Sequence, residues 1–273
     1  MSAPTFDAVV AATLAQESQR RMRRSTHALI WGVAVVAVLW FTAAQIGLNP
    51  LALAKGLPFM ADFFSRMFPP DLAHLGLLGD VTVETIQIAV WGTLIAIVLS
   101  IPLALLGAKN TTPHPIVFHA TRMLLNALRA INELVFALIF VAAVGLGPFA
   151  GVLAIALHAT GMLAKFCAEE LEGVDRGPVE AVQATGAGRM QVILFGMIPQ
   201  VIPAFISYSI YRFDVSIRAA TILGLVGAGG LGFSLIKTMK LFKYHETATC
   251  ILVIFVLVFV SDWACSRIRA KIL

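Results

Sequence analysis

An all-α membrane fold with six transmembrane helices is predicted, and three observations predict it. Hydrophobic residues make up 59% of the 273 and charged residues only 13%, where soluble domains carry roughly 25% charged residues; mean hydropathy is +0.88. The chain also falls into six apolar runs, each near the length that crosses a hydrocarbon core of about 30 Å at about 1.5 Å per residue. The polar stretches between the runs are too short to bury a core of their own. The organisation expected is a polar segment over 1–27, then one membrane domain over 28–273.

The polar segment ends in Arg20-Arg21-Met22-Arg23-Arg24, and the run from Ala28 to Leu48 carries no charge. A cleaved signal peptide has the same order of basic then apolar residues, but this run is too long and too far from the start, so it reads as an uncleaved first span. Asn49 to Asp80 is expected outside the membrane. Within it, Leu57 to Phe68 gathers aromatics on one side of a short helix suited to the membrane interface. The second span is expected over Thr82 to Leu106, kinked by Pro102 near its end.

The third span, over His119 to Gly145, carries Asn126, Arg129, Asn132 and Glu133. Ionisable groups inside a span are costly enough to mark function by default. Arg129 and Glu133 are four apart, hence on one helix face, and read either as a structural ion pair or as groups lining a path. A tight Gly145-Leu146-Gly147-Pro148 turn leads into span four, over Phe149 to Cys167, where His158 and Lys165 share a face. His158 reads equally as a helix contact or a substrate group.

The loop that follows holds Pro178, Glu180, Gly186 and Gly188. A proline at a first helical position and a carboxylate in the first turn start a helix well, and the two glycines stop it. Val192 to Tyr211 then carries no charge, so the short helix over 178–188 abuts a span and lies at the membrane surface. Its small face of Ala181, Ala184 and Ala187 suits a groove in a partner protein.

Span five is expected over Gln191 to Ile222, with Ser207, Tyr208, Arg212, Asp214 and Arg218 in its second half. Asp214 and Arg218 are four apart and neutralise each other, which leaves Arg212 as the surplus positive charge. In the run Gly224 to Gly232 the Gly-Lys-Ser/Thr ending and the preceding strand of a phosphate loop are both missing, which excludes a nucleotide site. Irregular backbone at membrane depth needs protein or a water-filled cavity beside it, so Gly227, Gly229, Gly230 and Gly232 are candidates for an outer gate. Lys237, Lys240 and Lys243 follow as a basic stripe, and span six is expected over Glu246 to Cys265.

Cys167, Cys250 and Cys265 show no metal-ligand spacing and an odd count; they read as small apolar packing residues. Six spans put both termini on one side. Eleven lysines and arginines flank that side and five the other, so the positive-inside rule places both termini and the 178–188 helix in the cytoplasm.

The loop resembles the cytoplasmic coupling loop of ABC importer permeases, a Glu-Ala-Ala, then Gly, then Ile-x-Leu-Pro pattern. Glu180-Ala181, Gly186 and Ile198-Pro199 match, while Val182 and Ile198 replace the second Ala and the Leu. The strings Arg129 to Glu133, Val144 to Pro148, Ser207 to Phe213 and Arg218 to Gly232 narrow the resemblance to the permease subunit of phosphonate-type importers, close to those for phosphite and hypophosphite. The resemblance implies a type I importer-like fold in the bacterial inner membrane and a homodimer. It implies two cytoplasmic ATPase subunits holding ATP and Mg, none of it on this chain, and a periplasmic or lipid-anchored binding protein. It also implies coupling through Glu180, Ala181, Ala184, Gly186 and Gly188. The charged and polar groups inside the spans, Arg129, Asn132, Glu133, His158, Tyr208, Arg212, Asp214 and Arg218, are the path candidates on their own chemistry, with ion pairs that merely pin helices together as the competing reading. Transport of another small anion or an amino acid in the same class is the alternative. A proton-coupled secondary transporter relaying through Glu133, His158 and Asp214 leaves the loop without a role, and an intramembrane enzyme lacks any catalytic constellation, metal set or nucleophile motif.

Overall fold

The computed structural model describes residues 27 and 31–272, and every regular element among them is helical. The Arg20 to Arg24 cluster lies outside the described residues, as does all of the 1–27 segment except His27. The chain divides after Phe63 into two units.

In the first unit, α1 (Trp31–Ile46) ends where Gly47 adopts a φ of +69°, its N–H reaching Ala44 O and that of Leu48 reaching Ala43 O. Such back-bonding closes a helix C-terminus. Asn49 then accepts from the Leu51 N–H at 2.9 Å and Pro50 opens α2 (Pro50–Met67), so this helix begins seven residues before the expected Leu57. The two helices are bent by 43°.

In the second unit, Asp71 accepts from the Ala73 N–H and caps a single turn over Leu72–His74. That turn feeds α3 (Leu75–Gly107), which starts earlier than expected and runs unbroken through Pro102. The remaining helices are α4 (Pro115–Ala130), α5 (Glu133–Val144), α6 (Pro148–Glu172), α7 (Arg176–Ala184), α8 (Arg189–Val192), α9 (Ile198–Leu223), α10 (Gly230–Lys240) and α11 (Tyr244–Ile272). One π-helical turn, Ile193–Met197, joins α8 to α9. Among the described residues, four helical stretches are long and apolar enough to cross a membrane: those of α3, α6, α8–α9 and α11. The count rises to six if α1–α2 and α4–α5 each make one crossing.

The third crossing is not the continuous helix expected. Asn132 is extended at φ −66° and ψ 145°, and its side chain accepts from the Leu134 N–H, so it caps a new helix. α4 and α5 consequently meet at 89°. Arg129 and Glu133 therefore do not share a helix face: an N-cap needs non-helical backbone, and this one falls between them.

The core sits where α3 and α6 pack lengthwise, with α9 against both. Lipid tails give no hydrophobic drive between helices, so packing depends on close backbone approach over small residues. Gly92, Ala96, Gly151, Ala154 and Ala159 are all buried along this interface. A Cβ on Gly92 would stand 2.7 Å from Ile155 Cγ2, and one on Gly161 2.7 Å from Leu128 Cβ. Cys167, Cys250 and Cys265 are free and buried.

Candidate functional site

At the end of the bundle carrying α7, the chain is cross-tied by polar contacts. Arg122 lies 3.1 Å from Glu172 and 3.5 Å from Glu169, while its Nε donates to Gly107 O at 2.7 Å. Arg189 donates to Thr111 O and Thr112 O, and Gln200 exchanges hydrogen bonds with the Asp175 backbone. On this frame sits α7. Asp175 caps it by accepting from the Gly177 N–H at 3.2 Å, so the helix starts two residues before Pro178 and Glu180 lies beyond its first turn. An Asx cap competes well with proline for setting a helix start.

α7 ends at Ala184; Gly186 follows at φ +80°, a backbone that glycine adopts without penalty. Gly188 has an ordinary φ of −69° and opens α8 instead, its N–H donating to Gln191 Oε1 at 2.9 Å; it does not stop α7. Val179 is buried against Gly196, while Glu180, Ala181, Gln183, Ala184 and Gly186 are exposed. α7 is thus held by Val179 and the half-buried Val182 and presents a small, polar-edged face outward.

Across the middle of the unit, a stripe on α6 gathers five of the path candidates, His158, Glu133, Arg212, Arg129 and Tyr208. His158 Nδ1 lies 3.0 Å from Ile131 O at the α4–α5 break. One turn on, Met162 lies beside Arg212, whose Nη2 donates to Glu133 Oε2 at 2.9 Å. Lys165 donates to Asn126 Oδ1 at 2.9 Å. Phe166 takes the Arg129 guanidinium over its ring at 5.5 Å and packs on Tyr208, whose hydroxyl donates to Glu170 Oε1 at 2.5 Å. His158, Met162, Lys165 and Phe166 recur at helical spacing, so α6 builds one polar seam with α4, α5 and α9.

Arg212 is therefore not the surplus charge that spacing suggested. It is 2% exposed, paired with Glu133, and its Nε has no hydrogen-bond partner. Arg129 and Asn132 are exposed, so the accessible positive charge on the seam is Arg129 and Lys165. Asp214 and Arg218 do pair with each other, at 2.5 Å. They face away from the seam, with Ser261 of α11 donating to Asp214 Oδ1 at 3.4 Å.

The glycine segment is close-packed rather than loose. Gly147 N–H donates to Gly227 O at 2.9 Å, and Ala228 is wholly buried. Gly229 and Gly230 have φ of +79° and +71°. At Gly224 and Gly232 a Cβ would strike the backbone of the facing turn, so the run of glycines lets α9 and α10 touch. The basic stripe is interrupted: α10 ends at Lys240, and Lys243 lies beyond a turn through Phe242 and donates to Glu246 Oε1 at 2.8 Å.

Glu170 and Ser261 take part in these contacts, and Glu84 of α3 accepts from the Gly230 N–H at 3.3 Å; the sequence singles out none of the three. The carboxylate nearest the apolar stretch of α3, four residues after Asp80, was the available signal for Glu84; Glu170 and Ser261 depend on tertiary approach alone.

Residues 96–272 match the family described as binding-protein-dependent transport system inner membrane component. The chain is 43% identical to the phosphite transport system permease protein PtxC of Stutzerimonas stutzeri over 86% of this chain and 84% of that protein. It is 39% identical to a putative phosphite transport system permease protein, HtxC, of the same organism, over 98% of this chain and 94% of that protein. Among solved structures it is similar to the MetNI methionine ABC transporter in inward-facing conformations. The TM-score there is 0.63 at 19% identity, covering 74% of this chain and 99% of that one.

Proposed function

Because the chain belongs to the family of binding-protein-dependent transport system inner membrane components, we propose that it forms the membrane pathway through which an ABC importer takes up phosphite, a phosphonate or a related reduced phosphorus oxyanion. The observation that carries the substrate reading is the pair of relatives named for phosphite transport, matched over 86% and 98% of the chain. Two copies of the permease stand together on two cytoplasmic ATPase subunits, and a binding protein delivers the anion at the opposite face. The end of the bundle carrying α7 is cytoplasmic, a reading that the distribution of lysine and arginine supports. The exposed small face of α7 enters the ATPase, with Glu180, Ala181, Ala184 and Gly186 at the contact, and Gly188 sets the start of the next helix.

The seam on α6 is the anion path. An unpaired anion in a low-dielectric interior meets an idealised cost on the order of 20 kcal/mol, so its route needs a polar, hydrated lining. Arg129, Asn132 and His158 offer positive charge and donors along one side, with Tyr208 beside them held by Glu170. Arg212 adds a positive charge that Glu133 offsets, so the field attracts the anion without trapping it, as passage requires. Asp214, paired with Arg218 on the other side of α9, ties that helix to Ser261 of α11. The segment from Gly227 to Gly232 closes the outer side. The test is ATP hydrolysis by the reconstituted permease, ATPase and binding protein. Phosphite or a phosphonate is expected to stimulate it, and phosphate and sulfate far less; equal stimulation by all four overturns the substrate reading.

A further inference from the structure

We infer that Glu84, with Thr85 beside it, is the latch that holds the glycine segment 227–232 closed, and that its release is a step of the transport cycle. The inference rests on the reading of that segment as the outer gate. Gly230 N–H donates to Glu84 Oε1 at 3.3 Å across 146 residues of sequence, and Leu231 N–H donates to Thr85 Oγ1 at 2.8 Å. These are the first N–H groups of α10, which no carbonyl of the helix itself can satisfy, and α3 supplies both acceptors. The carboxylate stands at the positive end of the α10 dipole. Thr85 is wholly buried and donates in turn to Val81 O at 2.9 Å, so its hydroxyl is fully used.

The position leaves room for nothing else. A Cβ on Gly229 would collide with Glu84 Oε1 and stand 3.2 Å from Pro148 N, and one on Gly151 would stand 3.1 Å from Ala228 O. Among the described residues no lysine, arginine or histidine pairs with Glu84. A carboxylate inside a span without a basic partner is costly, so the Gly230 amide is its compensation only while the segment is packed. Any motion of the segment strips Glu84 of that donor. Glu84 therefore biases the equilibrium toward the closed form by the strength of one charge-assisted hydrogen bond.

The experiment uses the permease assembled with its ATPase in proteoliposomes. Glu84→Gln keeps an acceptor but loses the charge. The expected result is a rise of about tenfold in ATP hydrolysis without binding protein, the scale of one such bond, and more ATP consumed per anion taken up, with wild-type amounts of complex. Unchanged hydrolysis, or hydrolysis that only falls with the amount of folded complex, overturns the latch. The gate reading is tested apart from it, in the Gly151→Cys/Ala228→Cys pair. A Cβ on Gly151 would stand 3.3 Å from Ala228 Cβ, close to the separation of about 3.5–4.5 Å that a disulfide spans. Oxidation that stops uptake, restored by reductant, supports a moving gate. Uptake that survives the cross-link overturns gate and latch together, whereas blocked uptake with unaltered Glu84→Gln hydrolysis overturns the latch alone.

Discussion

Arg212 of α9 and Glu133 of α5 meet at 2.9 Å across 79 residues of sequence, with their side chains 3% and 18% exposed. The pair sits at the break between α4 and α5. Glu133 is the first residue of α5 and Asn132 its cap, so the contact fixes where the second half of the third crossing begins. His158 holds the other edge of the break through Ile131 O.

Removing one partner leaves an uncompensated charge in a low-dielectric setting, which costs about 3–5 kcal/mol, whereas an apolar pair of similar volume is often neutral. Arg212→Met and Glu133→Leu are each expected to lower the unfolding stability of the detergent-purified protein by that order, and the double variant to recover most of it. A double-mutant cycle reads the coupling. Additive losses would mean the two charges are not coupled. If the double variant recovers the fold, loss of uptake in it assigns the Arg212–Glu133 pair a role in the path beyond stability.

On α7 the buried and exposed faces separate stability from coupling. Ala184→Trp adds bulk to an exposed face and is expected to leave insertion and thermal stability within about 0.5 kcal/mol of wild type while abolishing co-purification of the ATPase. Gly186→Val places a β-branched residue at φ +80°, a strain of order 1–3 kcal/mol. It should alter the loop as judged by proteolysis and stop uptake. Normal uptake by both variants removes α7 from the coupling contact.

The α3–α6 interface offers a packing test remote from either site. Gly92→Ala forces a Cβ to within 2.7 Å of Ile155 Cγ2, and over-packing of this kind costs typically about 1–3 kcal/mol. Pairing it with Ile155→Val, which removes a methyl from the facing side chain, is expected to restore part of the loss in unfolding measurements. No rescue would place the strain elsewhere.

Orientation is checked by labelling single cysteines in sealed right-side-out vesicles. Cysteine at Gln183 is expected to react only after permeabilisation and cysteine at Lys240 without it; both positions are exposed, at opposite ends of the bundle. The reverse pattern would invert the topology and put α7 on the wrong side for an ATPase.

What the sequence disclosed was local. The Gly145–Pro148 turn, the stop at Gly186 and the pairing of Asp214 with Arg218 each follow from neighbours within four residues, where backbone preference and helix geometry decide the outcome. The α4–α5 break was written in Asn132, a good cap residue, but the apolar run around it is equally compatible with a continuous span. Once that break is missed, Arg129 and Glu133 appear to share a face and Arg212 appears unpaired. Pro178 misled in a similar way: Asp175 captures the start of α7 first. Glu84 reaching Gly230 depends on how α10 folds back onto α3, which no spacing within either helix encodes.

The most direct measurement is uptake of phosphite into proteoliposomes holding this chain and its ATPase, with binding protein outside. The expected result is accumulation that requires both ATP in the compartment facing α7 and the binding protein, and that is unaffected when the proton gradient is collapsed. Accumulation driven by an imposed proton gradient in the absence of ATP would contradict the account.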